Sequence, residues 1–142
     1  MTTAQAKPQL QPTSMIPVFH ETSFGMLDAA KEQLASLKKA EGRAHVLNDE
    51  IIERVLKTFT EQTDYIPTFL EQCQQWRKEA LNERQLQWVS DIEHNVKMLA
   101  KINPDILALA KSYEDKTINS ILGMDEDELI KNILTGKVDM PL

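Results

Sequence analysis

The sequence predicts an all-α protein: an antiparallel helical bundle of about four main helices, a long kinked second helix, and a short C-terminal helix. Three observations carry this. From Asp49 to Leu81, the residues Ile52, Val55, Phe59, Gln62, Ile66, Phe69, Cys73, Trp76 and Ala80 recur at spacings of three and four. That is one apolar stripe along a helix with a polar opposite face. Several segments open with a capping residue flanked by a hydrophobic staple. No run of alternating apolar and polar residues marks a strand.

Taken in order, residues 1–17 read as a flexible arm, rich in Gln, Thr and Ala and interrupted by Pro8, Pro12 and Pro17. Residues 18–142 then form a single bundle domain. Met15, Ile16, Val18 and Phe19 are the part of this region expected to lie against the bundle. The first helix is expected to start at Thr22 or Ser23 and to end near Glu41, just before Gly42. Phe24, Leu27, Ala30, Leu34 and Leu37 line one face, and Lys38, Lys39 and Arg43 complement the dipole at its end.

The second helix opens at Asn48, a good N-cap, with Asp49 and Glu50 in the first turn and Leu47 and Ile52 at staple spacing. Pro67 interrupts its hydrogen-bond ladder, so a kink or break belongs near Tyr65 and Ile66. Because the apolar phase survives across Pro67, a kinked rod is favoured over two separate helices.

The third helix starts at Asn82, with Gln85 completing a capping box and Leu81 and Leu86 the staple. It carries Leu86, Val89, Ile92, Val96 and Leu99. Asn103-Pro104 reads as another N-cap followed by proline at the first helical position. This predicts a fourth helix through Ile106, Leu109, Ala110 and Tyr113, with Ile118 and Ile121 later, that stops at Gly123. Asp125 and Glu128 suggest a capping box for a short fifth helix containing Leu129, Ile130, Ile133 and Leu134.

Composition bounds function more than it names it. A chain of 142 residues with 42% hydrophobic residues is long enough for one core without metals or disulfides. A net charge of -6 argues against a phosphate-backbone binder. The basic residues Lys38, Lys39 and Arg43, or Arg77, Lys78 and Arg84, are each offset by nearby acids. Cys73 alone cannot form an internal disulfide or a thiolate cluster, and on the stripe it reads as a small buried hydrophobe. No apolar run is long enough to span a bilayer, and the N-terminus lacks a secretory pattern, so the expected location is the cytoplasm.

The search for chemistry finds little. A di-metal bundle site needs several inward carboxylates and Glu-x-x-His pairs. Glu50 with Glu53, and Asp91 with His94, share faces, but no second carboxylate–histidine pair exists. The acidic pair could also begin a divalent-metal-dependent all-α nucleotide hydrolase, for which no second cluster is evident. Neither a nucleophile elbow nor a phosphate loop is present. No cofactor or metal is therefore expected.

The favoured expectation is a non-catalytic protein–protein interaction, adaptor or regulatory module that self-associates as a homodimer. A nucleotide hydrolase and a nucleic-acid-binding regulator are the alternatives. Interface candidates are Phe59, Phe69 and Trp76 on the long stripe, Trp88 on the third helix, and Leu129 and Ile133 on the short last helix.

Overall fold

A computed structural model of the chain describes residues 10–44 and 47–117. Within them, a 3₁₀ turn at Thr13–Met15 leads into three helices: α1 (Ile16–Lys39), α2 (Asp49–Arg77) and α3 (Glu83–Ser112). The all-α bundle is as expected, but three long helices stand where four were predicted. The predicted fifth helix, with Leu129 and Ile133, lies outside the described residues.

α1 starts earlier than its cap signals suggested. Its N-cap is Met15, which makes no side-chain bond, and Pro17 occupies the first turn, where a missing donor costs little. Packing decides this start. Ile16 is wholly buried, and Phe19 sets its ring edge-on to Phe69 and Trp76 of α2, at 5.8 and 5.2 Å. Ser23, an expected cap, is instead buried inside the helix. Its hydroxyl donates to the His20 carbonyl (2.9 Å) and accepts from Asn95 Nδ2 (3.1 Å). Beyond Lys39 the chain turns with Gly42 at φ 76°, a left-handed conformation that suits glycine.

α2 begins as the sequence indicates: the Asn48 side chain accepts the Ile51 N–H at 2.8 Å. Its 29 residues continue through Pro67 without a break, a rod of about 43 Å at 1.5 Å rise per residue. Ile52, Val55, Phe59, Ile66, Cys73 and Trp76 are all buried, so the predicted stripe is the core face.

α3 opens with the predicted capping box. Asn82 Oδ1 accepts the Gln85 N–H at 2.8 Å, and Gln85 Oε1 accepts the Asn82 N–H at 3.0 Å. It then runs unbroken through Asn103-Pro104, which is where the four-helix expectation fails. Asn103 does not cap a new helix. It is fully buried, and its Nδ2 donates across to Gln62 Oε1 of α2 at 2.7 Å. Leu99, Ile106 and Ala110 are fully buried on either side of Pro104. Continuous packing thus outweighs the roughly 3 kcal/mol that an interior proline costs.

α3 lies against both α1 and α2. Cross-helix bonds fix the directions. Asn103 meets Gln62, while Arg77 Nη2 meets Ser90 at 2.9 Å, so α2 and α3 are antiparallel. Asn95 meets Ser23, and the Tyr113 hydroxyl donates to the Leu37 carbonyl at 2.8 Å, so α1 and α3 run parallel. The bundle is therefore up-down-up. Arg77 closes the α2–α3 end by a two-pronged pair with Glu93, with Nε to Oε2 at 3.1 Å.

Candidate functional site

Parallel packing of α1 and α3 brings six side chains together on the surface. His20 Nε2 lies 2.8 Å from Asp91 Oδ2, and Gln87 Nε2 donates to Asp91 Oδ1 at 2.9 Å. The hydrogen bond from His20, reinforced by Gln87, holds the Asp91 carboxyl below the ordinary carboxylate range. The imidazole lies between two aromatic rings, Phe24 at 5.0 Å and Trp88 at 5.8 Å. Arg84 places its guanidinium carbon 5.7 Å from the centre of the Trp88 ring. Phe24 is 43% exposed and Trp88 is half-buried. Such a surface offers flat apolar area with a cation and a carboxylate at its margin.

The other interface candidates fare differently. Phe59 is 6% exposed and Trp76 is wholly buried, so the same chain already covers that part of the stripe. Phe59 and Trp76 of the expected seam are core here, where the rod was expected to stand partly bare. Phe69 is half-buried, with its ring against Phe19 and Tyr65. Trp88 is the described candidate on an open aromatic surface. Leu129 and Ile133 lie outside the described residues.

The residues weighed for metal chemistry do not converge. Glu50 is exposed and pairs with Arg54 one turn on, at 3.1 Å. Asp91 is engaged by His20. Asp49, Ile52, Glu53 and Glu114 line an open cavity of about 210 Å³ at the start of α2. Among the described residues, no group of three or more His, Cys, Asp and Glu is arranged to hold a metal ion. Cys73 is buried, and burial, assisted by the Glu93 carboxylate, pushes its thiol up to about 12. That makes it inert at neutral pH.

A second arrangement was missed by sequence reading. Gln72 and Trp76, one turn apart on α2, both reach the backbone of Gln11. Gln72 Oε1 accepts the Gln11 N–H at 2.6 Å, and Gln72 Nε2 and Trp76 Nε1 donate to the Gln11 carbonyl at 3.3 and 2.9 Å. Only a glutamine placed one position before Cys73 on the stripe could have hinted at it. His20, which precedes the expected start of the first helix, is likewise a residue of α1.

No family model, curated protein or solved structure matches the chain. Among the described residues, no helix is long and apolar enough to cross a membrane. The described residues therefore define an all-α bundle of three long helices.

Proposed function

We propose that this protein is a non-catalytic protein-interaction module that pairs with a second copy of itself through the Trp88 face of α1 and α3. The observation that carries this reading is the surface cluster of Phe24, His20 and Trp88, with Arg84 over the indole. Tryptophan and arginine dominate interface hot spots because each offers large flat area together with a polar edge. His20 and Asp91 hold the rings in place before binding, so little ordering entropy is lost on association.

Light scattering on the purified full-length protein across a concentration series tests the reading. The expected result is a dimer that Trp88→Ala and Phe24→Ala each shift toward monomer by at least tenfold in dissociation constant. This corresponds to the roughly 1.4 kcal/mol or more expected of a hot-spot residue. A monomer at every concentration, or a dimer indifferent to both substitutions, refutes it. Divalent-metal-dependent turnover of nucleoside triphosphates by the same sample would replace it with the enzymatic alternative.

A further inference from the structure

We propose that Gln72 and Trp76 form a binding site for extended, proline-containing peptide, and that the Leu10–Pro12 segment is a built-in occupant that an external peptide displaces. This goes beyond self-association through Trp88 and stands on different residues of a different helix.

The polar groups of the site are buried: Gln72 is 4% exposed and Trp76 0%. In the folded chain these groups are satisfied by the Gln11 backbone. All three bonds go to the N–H and C=O of Gln11, while Leu10, Gln11 and Pro12 are exposed. A primary amide that both accepts an N–H and donates to a C=O of one residue reads main chain in extended form, independent of the side chain there.

The next residue narrows the ligand class. Pro12 has φ -69° and ψ 163°, polyproline geometry, and the indole donates to the carbonyl of the residue just before it. Proline-rich peptides are generally captured this way, on aromatic surfaces with a donor aimed at a carbonyl, because the preformed conformation loses little entropy. Phe19 and Phe69 supply aromatic surface beside Trp76: Phe19 meets both rings edge-on. The resident segment joins α1 only through the short 3₁₀ turn at Thr13–Met15, so it can leave without unwinding that helix.

The test uses a fluorescent synthetic peptide with the sequence of residues 7–13, Lys-Pro-Gln-Leu-Gln-Pro-Thr, and full-length protein. Anisotropy is read with wild type, Gln11→Pro, which removes the resident N–H, and Gln72→Leu, each checked for helical content. A tethered segment competes at an effective concentration of order millimolar. Gln11→Pro is therefore expected to bind the peptide at least about tenfold more tightly than wild type. Gln72→Leu should lose binding, as should a peptide N-methylated at the residue matching Gln11.

Equal binding to all three proteins overturns the proposal. So does no binding at millimolar peptide to either Gln11→Pro or a chain lacking residues 1–12. Light scattering on the same samples separates one further case: a dimer that forms on Gln11 release and excludes the peptide would make a second copy the occupant and also overturn it. None of these outcomes depends on Trp88, so a failure here is distinct from a failure of self-association.

Discussion

Replacing Asn103 by leucine is expected to stabilise this protein, although it removes a cross-helix hydrogen bond. Asn103 is fully buried. Its Nδ2 makes one good bond, to Gln62 Oε1 at 2.7 Å, and a long contact to Thr63 Oγ1 at 3.4 Å. Its Oδ1 has no partner among the described residues. Asn103→Leu forfeits about 0.5–1.5 kcal/mol for the bond but removes an unsatisfied acceptor costing about 1–3 kcal/mol. The added apolar burial, roughly 1.5–3 kcal/mol, is offset by about 1–3 kcal/mol of strain from a bulkier side chain. The net expectation is about 1 kcal/mol of stabilisation, a urea midpoint raised by roughly 0.5 M at a slope near 2 kcal/mol per M. Gln62→Leu is the opposite experiment. It strands the buried Asn103 amide and should cost about 1–3 kcal/mol. This difference in sign is the test, read by urea unfolding of the full-length variants. If Asn103→Leu destabilises by 1 kcal/mol or more, or Gln62→Leu is neutral, the account of this polar layer is wrong.

Three other outcomes follow from the same physical reasoning. Cys73, with its thiol near 12, should react with a disulfide reagent at pH 8 at least roughly a thousandfold more slowly in the folded chain than in urea. Reaction at comparable rates would mean the α2–α3 contact opens readily. The lowered Asp91 carboxyl gives stability that is fully present above its unfolded value near ~3.9 and fades as pH falls through the lower folded value. The urea-midpoint gap between wild type and Asp91→Asn should therefore narrow as pH is taken from about 6 to 3, and a gap that widens would reverse the assignment. Gly25 lies in α1 with nothing within 4 Å of an added Cβ, so Gly25→Ala should raise stability by about 0.5–1 kcal/mol in thermal unfolding. A loss would show that the position is not open.

The places where sequence and structure part company share one cause, a contest between local end signals and long-range packing. Asn48 and Asn82 announced real helix starts, where their side chains cap the Ile51 and Gln85 N–H groups. Asn103 carried the same signal, followed by a proline, and it misled because Gln62 on α2 claims its amide. The better signal was periodic. Val89, Ile92, Val96, Leu99, Asn103, Ile106, Ala110 and Tyr113 alternate spacings of three and four without interruption, and every one is buried. The same phase across Pro67 identified the continuity of α2, so consistent use of phase would have joined the predicted third and fourth helices as well. Ser23 makes the point for α1: a good capping residue on paper, it bonds Asn95 of α3 from inside the helix.

The candidate sites were less legible because they are relationships between distant segments. Trp88 was recognisable as a surface candidate from α3 alone, but its setting depends on His20, 68 positions earlier, and on the parallel course of α1 that brings the two together. The Gln11–Gln72 clamp is more remote from sequence pattern still, since one side of it is bare backbone with no residue signature. Phe59 and Trp76 illustrate the converse. Their stripe was read correctly, but whether an apolar stripe becomes core or interface depends on how many neighbours the same chain supplies. Here the same chain supplies enough to bury both rings. The polar atoms that interrupt this core therefore locate specificity. Gln62 and Asn103 occupy facing stripe positions, where a hydrogen-bonded polar pair penalises every register that would set either amide against an apolar side chain. By that logic, Asn103→Leu should gain stability while weakening the one-register packing that keeps Gln72 and Trp76 opposite Gln11.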